Sequence, residues 1–462
     1  MYICLEKELT QLSPVPPSHI DMRNQTMRVV PERSGSSDSP TPTSRTNVYY
    51  EHIRVSGLPR ERGRQYGKQA ADKIRRNIKH YLRPGQLPPW ERTVGYINNI
   101  YVPGLKKHFP SALEEMQGIA EGAGVSVEEI IMLNARYDLS RAPGGSRYRP
   151  PPEKQGFMSI PVRNSVTLPS VLSSNTNNFC DWDDFDNECT SCAFWQGATK
   201  DGAVYTAQNW DISSHLYFDD LVILLEIHPD PSEGIPSMFL VTEAGQLGRS
   251  GMNSAGLGLT SNSLNSTADY FPEDETPCLP VSVLRRMFLQ EKSFPKGLQA
   301  VYNAPRHVSN NLTLSTAEGY ALCMELTPNE AFVLTPSETD NHLIHSNHFL
   351  SPAIHARTDI RDSYAGGSSW FRHVRLAKGI QPFLDGSVDD NVLTKAFADH
   401  LGYPQSLCQH VDNSGGSGIP GYPFKKSMTV VCVVYDVTHK VVTVCKGPPC
   451  QGIFEKFRLD SP

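Results

Sequence analysis

The sequence predicts an α/β (α+β) protein of four layers, two packed β-sheets covered on their outer faces by helices. Three observations carry this. Residues from about 50 to 138 place apolar side chains at helical spacing. Beyond Cys189 the character changes to strand-like runs such as Leu221–Ile227, Ser237–Thr242 and Leu257–Ser261. Pairs of helical segments then interrupt the strands, at Val281–Glu291 with Phe294–Asn303 and at Trp370–Gly379 with Asp389–Leu401.

Residues 1–47 are rich in Ser, Pro, Thr and Arg and hold too little apolar area to offset the entropy of ordering, so a disordered tail is expected there. Order begins near Tyr49–Val55. Residues 48–188 then form a mostly helical segment. One helix runs from the Gly63-Arg64-Gln65-Tyr66-Gly67 stretch through Ile74, Ile78 and Tyr81, and others are expected over Val94–Tyr101 and Ala112–Ala123. Ser126 followed by Glu129 spells a capping box, which opens a further helix. From 142 to 178 the chain turns to Pro, Gly, Ser and Asn, the composition of a long loop insertion. The acidic run Asp181-Trp182-Asp183-Asp184-Phe185-Asp186 follows; it lacks the Gly and the closing Glu of a calcium-binding loop and reads as solvated.

Residues 189–462 make the core region. Cys189–Phe194 reads as a short strand, Asp201-Gly202 as the hairpin turn, and Ala203–Ala207 as a second strand ending in polar Asn209 and Asp211. Such a hairpin returns an amide and a carboxylate to the Cys189 end, an arrangement that suits a cysteine nucleophile. Tyr320–Leu326, Ala331–Leu334 and a closing hairpin of Thr429–Asp436 with Lys440–Lys446 complete the strands.

A chain of 462 residues can bury a large core, and its net charge of −6 with no long basic run argues against nucleic acid or anionic membrane surfaces as partners. No stretch approaches the roughly 20 apolar residues of a membrane span. The opening Met1-Tyr2-Ile3-Cys4-Leu5-Glu6-Lys7 has no basic or apolar leader pattern, and the ten cysteines follow no framework. A cytoplasmic location with reduced thiols is the expectation.

Single motifs are weak. Cys189-x-x-Cys192 has no second Cys-x-x-Cys and no His pair at metal spacing, so no metal is expected, and Cys192 reads as a buried strand residue. The Gly-rich stretch Glu243–Asn253 misses the phosphate-loop pattern and reads as a turn between strands. His345-Ser346-Asn347-His348 holds two histidines with no third ligand cluster evident, and Asn347 taken alone suits a turn equally well.

Taken together and in order, the motifs are specific. Cys189-Thr190, Gln208-Asn209-Trp210-Asp211, Thr242-Glu243-Ala244-Gly245, Gly251-x-Asn253-Ser254-Ala255-Gly256, Asn262, His345-x-Asn347-His348 and Ser369-Trp370-x-Arg372-His373 resemble the isopenicillin-N acyltransferase (acyl-CoA:6-aminopenicillanate acyltransferase) family of N-terminal-nucleophile hydrolases. Tyr66-Gly67, Ile119–Ala123 and Ile131–Arg136 extend the resemblance upstream, so that it spans most of residues 50–460.

The resemblance implies an αββα sandwich made as a precursor that cuts its own chain, here at Glu188–Cys189, to leave an α/β heterodimer with Cys189 at a new N-terminus. It implies that Asp211 orients the Cys189 amine, that Asn347 donates to the oxyanion, and that Asn262 is a second oxyanion or substrate contact. The implied activity is amide hydrolysis or acyl transfer on a small molecule through an acyl-Cys189 intermediate. No cofactor is implied, and a coenzyme A thioester enters as an alternative acyl donor. Two positions depart from the pattern: Glu188 precedes the nucleophile in place of Gly or Asp, and Lys426 replaces an expected Arg, keeping the charge but losing bidentate geometry. A catalytically silent, unprocessed homologue serving as a binding protein is the rival reading.

Overall fold

The computed structural model describes residues 48–148, 188–272, 274–337, 339–364, 367–411 and 427–459. The expected tail at 1–47, most of the 142–178 insertion, the acidic run and Lys426 lie outside the described residues.

The segment expected to be helical opens with a strand, β1 (Glu51–Gly57). Its Ile53 and Val55 point inward and its alternate residues outward, a period of two too short to stand out in sequence. Helices α1 (Pro59–Gln69), α2 (Ala71–Tyr81) and α3 (Trp90–Tyr96) follow. The helix expected over Val94–Tyr101 belongs to a longer run, in which α3 passes through a π-helical turn at Ile97–Tyr101 into α4 (Val102–His108). Then come α5 (Pro110–Ala123) and α6 (Val127–Leu139). The capping box is formed: the Glu129 N–H donates to Ser126 Oγ at 3.2 Å and the Ser126 N–H to Glu129 Oε2 at 2.8 Å.

α1 and α5 touch through glycines. A Cβ on Gly63 would stand 2.2 Å from the Glu115 carbonyl oxygen, and one on Gly67 would stand 2.1 Å from that of Ile119. Gly118 and Gly122 answer from α5 against the Arg60 and Arg64 carbonyls. Backbone-to-backbone contact of this kind leaves no room for any side chain.

β2 (Glu188–Phe194) pairs antiparallel with β3 (Tyr205–Ser213), setting Cys189 opposite Trp210 and Glu188 opposite Asp211. Two details differ from the sequence expectation. The connection is a loop over residues 195–204 rather than a tight Asp-Gly turn, and β3 runs on through Asn209 and Asp211, which are buried in its middle. Both faces of β3 are covered, so its polar side chains are held by hydrogen bonds instead of solvent.

The chain continues through α7 (His215–Phe218), β4 (Val222–Pro229), β5 (Met238–Glu243), β6 (Ser250–Asn253), β7 (Leu257–Ser263), α8 (Val281–Leu289), α9 (Phe294–Asn303) and β8 (Asn310–Thr316). After these come β9 (Tyr320–Leu326), β10 (Ala331–Leu334), β11 (His342–His345), α10 (Pro352–His355), α11 (Ser368–Ile380), α12 (Asp390–Phe397), β12 (Ser427–Asp436), β13 (Val441–Lys446) and β14 (Phe454–Arg458). Sequence patterning did not mark β6, β8, β11 or β14. β6 and β11 have only four residues each, and β8 is Asn- and Thr-rich, so the apolar alternation is too thin to read. α12 stops at Phe397, short of the expected Leu401.

Among the described residues the strands form an eight-stranded sheet, β1-β4-β5-β6-β7-β8-β9-β10, and a six-stranded sheet, β11-β2-β3-β12-β13-β14. Three apolar clusters define four layers. Ile223, Leu225, Leu240 and Leu314 of the larger sheet pack against Ile74, Met116, Ile131 and Leu284. Cys189, Trp210, Val222, Phe239, Val431 and Val433 fill the space between the sheets. Cys192, Phe194, Ala207 and Val434 face Leu376, Leu393 and Phe397 of α11 and α12. The architecture is an αββα sandwich, with Cys189 on the seam between its sheets. No helix among the described residues is long and apolar enough to cross a membrane.

Candidate active site

Successive residues of β2 point to opposite faces, which separates the two cysteines of Cys189-x-x-Cys192. Cys192 enters the apolar layer under α11 and α12, where burial pushes its thiol far above the ordinary range. Cys189 faces the other sheet and is fully buried, yet polar groups surround it. Arg249 Nη2, from the turn between β5 and β6, donates to Cys189 Sγ at 2.8 Å. The Arg249 guanidinium also lies over the Trp210 ring, 4.3 Å from its centroid. Burial raises the Cys189 thiol, and Arg249, the Asp211 backbone N–H and Arg372 work in the opposite direction.

The peptide atoms of Cys189 are held as closely as its sulfur. Its N–H donates to Asn347 Oδ1 at 2.8 Å. Arg372 of α11, fully buried, donates to the Cys189 carbonyl at 2.6 Å, to Thr190 Oγ1 at 2.7 Å and to Asn347 Oδ1 at 2.8 Å. Asn262 Nδ2 donates to the His345 and Ser346 carbonyls at 3.0 and 2.9 Å and reaches the Cys189 carbonyl at 3.3 Å.

The loop after β11 aims Asn347 inward because its flanking histidines are held elsewhere. His345 bonds Glu325 Oε1 at 2.8 Å and His348 bonds Ser369 Oγ at 2.7 Å, while the Asn347 N–H donates to the same Ser369 Oγ at 2.7 Å. Both ring nitrogens of His345 are engaged in this way, its Nδ1 with the Ser346 carbonyl at 2.9 Å, and His348 is held through Nδ1. Asn347 Nδ2 donates to the Ser263 carbonyl at 3.0 Å. Both asparagines expected at an oxyanion thus donate their amide hydrogens to backbone carbonyls.

Asp211 stands behind Cys189 on β3. Its Oδ1 accepts from Thr429 Oγ1 at 2.5 Å, and Thr429 is joined to Gln409 in both directions: the Gln409 N–H donates to Thr429 Oγ1 at 2.9 Å and the Thr429 N–H to the Gln409 carbonyl at 3.0 Å. On the opposite side, Glu243 closes a buried pair with Arg136 at 2.7 Å and accepts from Tyr81 and Gln246, tying α2 and α6 to the turn that carries Arg249.

Arg285 of α8 adds a further buried cation. Among the described residues nothing accepts a hydrogen bond from its Nε, and Arg249 Nε is in the same position. Burial, with Arg249 and Arg136 nearby, pulls the Arg285 guanidinium down to about 9. A desolvated positive charge so placed calls for an anion.

Cys189, Asn262 and Asn347, distant in sequence, are therefore brought into contact. Asp211, expected on the Cys189 amine, is one residue on from the Cys189 partner Trp210 with its carboxylate on Thr429, and Asn347 Oδ1 takes the Cys189 N–H. Glu188 lies on β2 opposite Asp211, and Lys426 is outside the described residues. Arg249 and Arg285 were missed by sequence reading: Arg249 sits in the glycine-rich turn and Arg285 within an amphipathic helix, where a charged residue ordinarily faces solvent. Arg372 was visible as part of a motif but had no role.

Residues 198–450 match the model of the family described as acyl-coenzyme A:6-aminopenicillanic acid acyl-transferase, a stretch that begins after β2. The acyl-coenzyme A:6-aminopenicillanic-acid-acyltransferase 40 kDa form of Emericella nidulans is 23% identical over 403 residues, spanning 86% of this chain and 93% of its own. A mutant of conjugated bile acid hydrolase from Clostridium perfringens superposes with a TM-score of 0.36 at 12% identity, covering 56% of this chain and 89% of that one. Penicillin V acylase from Agrobacterium tumefaciens gives a TM-score of 0.29 at 14% identity, covering 57% and 77%.

Proposed function

The chain belongs to the acyl-coenzyme A:6-aminopenicillanic acid acyl-transferase family, and on that premise we propose that it is a self-processing cysteine amidohydrolase or acyltransferase with Cys189 as its nucleophile. One observation carries the reading. Side chains from β7, from the turn before β6, from the loop after β11 and from α11 converge on the sulfur, nitrogen and carbonyl oxygen of this one cysteine, in a setting where a structural thiol needs none of them.

In the first reaction the Cys189 sulfur attacks the Glu188 carbonyl carbon. A C–S bond forms as the C–N bond breaks, and the thiol proton passes to the leaving Cys189 nitrogen. Water then hydrolyses the thioester, leaving a carboxylate on Glu188 and a free amine and thiol on Cys189. The amine has an ordinary pKa near 8, suited to taking the thiol proton at neutral pH. The thiolate attacks the carbonyl of a small amide or a coenzyme A thioester, and water or an amine resolves the acyl-enzyme. Asn347 Oδ1, already on the Cys189 nitrogen, holds the new amine; Asp211 sets its field from behind. Arg249 keeps the thiolate charged. Asn262 and Asn347 remain the candidates for oxyanion donors, with their amide hydrogens turning from backbone carbonyls to the substrate. No metal or cofactor enters these steps.

The buried cations favour a substrate that carries an anionic group beside its acyl linkage, such as an N-acyl amino acid. Arg285 is assigned to that anion.

The test is the intact mass of the purified full chain beside Cys189→Ala, followed by assays with an N-acyl amino acid and with an acyl thioester plus an amine. The expected result is a split at Glu188–Cys189 and turnover in the unaltered protein only. Thioester consumption that depends on the amine selects transfer over hydrolysis. If both proteins stay whole while folded and inactive, the silent binding homologue takes the place of the enzyme.

A further inference from the structure

Away from Cys189, the fold gathers His400, Cys408, His410 and Cys450, whose ligand atoms all lie within 4.8 Å of one another. The first three come from the loop after α12 and the fourth from the turn after β13. Cys408 Sγ and Cys450 Sγ are 3.6 Å apart, and His400 Nε2 and His410 Nε2 are 3.2 Å apart. His410 Nε2 is 3.5 Å from the Cys408 sulfur and 3.3 Å from that of Cys450.

These separations are those of a tetrahedron around a small cation. With zinc–sulfur bonds of about 2.3 Å and zinc–nitrogen bonds of about 2.0–2.1 Å, tetrahedral angles set S···S near about 3.8 Å, N···N about 3.3 Å and N···S about 3.6 Å. A disulfide needs its sulfurs at about 2.05 Å and uses neither imidazole. Two thiolates with two imidazoles in a tetrahedral arrangement select zinc over magnesium, calcium or manganese, which prefer oxygen.

We propose that His400, Cys408, His410 and Cys450 bind one zinc ion as a structural Cys2His2 site. The two thiols give up their protons to solvent as the metal binds. All four positions are filled by protein, which leaves no place for a reacting water. His400 and Cys450 are exposed and Cys408 is buried, so the ion enters from solvent and is clamped against the body of the protein. The expectation of no metal rested on spacing along the chain. These ligands span residues 400–450 without a Cys-x-x-Cys pair, and only folding assembles them.

The site's position gives it a consequence for the reaction centre. Gln409 lies between two of the ligands and exchanges hydrogen bonds with Thr429, whose hydroxyl donates to Asp211. The Leu407 carbonyl accepts from Asn209 Nδ2 at 2.9 Å. Zinc therefore fastens the segment that braces β3 behind Cys189, and Gln409 acts as a positioning residue.

The experiment uses the full chain, expressed with zinc in the medium and dialysed exhaustively, with metal measured by mass spectrometry. About one zinc per chain is expected, falling to near zero in Cys450→Ser and His400→Ala and retained in Cys189→Ala. Loading the unaltered protein and Cys189→Ala with cobalt alone should give thiolate-to-cobalt charge transfer and the visible bands of tetrahedral coordination, and in Cys450→Ser the charge-transfer band should weaken. No zinc in the unaltered protein, zinc unchanged in Cys450→Ser, zinc lost in Cys189→Ala, or a Cys408–Cys450 disulfide in protein purified with its thiols blocked would each overturn the site.

Discussion

Arg249 Nη2 donates to Cys189 Sγ at 2.8 Å across the boundary between the two sheets, with the guanidinium stacked on Trp210 of the strand paired to Cys189. The thiol's surroundings are thus set by how the sheets stack, and not by its own hairpin alone. Burial raises the thiol and Arg249 is the foremost opposing charge.

Arg249→Met keeps much of the apolar stem over Trp210 and removes the cation. The Cys189 thiol should then ionise only at higher pH. Alkylation of Cys189 by iodoacetamide, followed against pH, should shift its midpoint upward, and self-cleavage at a fixed pH should slow by about 10²-fold, the scale of losing one buried donor to a developing charge. An unmoved alkylation midpoint would separate Arg249 from the thiol.

Arg285→Leu should leave self-cleavage intact, because that step uses no external anion. KM for an anionic N-acyl substrate should rise by about 10-fold or more, as for loss of one buried charge-assisted contact, while a neutral amide analogue of the same substrate should be unaffected. Steady-state kinetics on the matched pair reads the difference. Equal effects on both substrates would remove the anion from the assignment.

Gly67→Ala tests the α1–α5 contact. The added methyl carbon would fall 2.1 Å from the Ile119 carbonyl oxygen, a backbone atom with no room to retreat. A loss of about 3 kcal/mol or more is expected by urea unfolding. Gly124→Ala, where no atom lies within 4 Å but φ is +67°, should cost only about 1 kcal/mol.

Asp138 is fully buried, and burial raises its carboxyl from 3.8 to about 7 against the Val281 N–H and Arg141. The folded protein therefore holds this proton more tightly than the unfolded chain. The associated stability is fully present below about pH 4 and is lost as pH rises through about 7, at about 1.4 kcal/mol per pH unit in between. Asp138→Asn should flatten that slope in urea titrations run from pH 4 to pH 8, and an unchanged slope would assign it to other groups.

Local physics is legible in the order of the residues. Ser126 and Glu129 announce a capping box because both partners lie within one turn. Tyr320–Leu326 and Phe294–Asn303 were bounded correctly because apolar period and turn residues are read over a few positions. The ordered motifs around Cys189, Asp211, Asn262 and Asn347 marked the family and the residues that the fold assembles.

What only the tertiary structure decided are the partners brought in from afar. Arg249 meets Cys189 across 60 residues of chain and Arg372 meets it across 183. Such contacts depend on which face of a strand looks at which sheet, a choice that a one-residue change of register would reverse. The same parity divides two cysteines three residues apart: Cys189 enters the polar seam between the sheets and Cys192 the apolar layer under the helices. Sequence by itself determined that a cysteine at the start of β2 is surrounded by the family's motifs. The stacking of two sheets decided that Cys189 has charged company, because polar groups in a buried seam must find partners and the facing sheet supplies them.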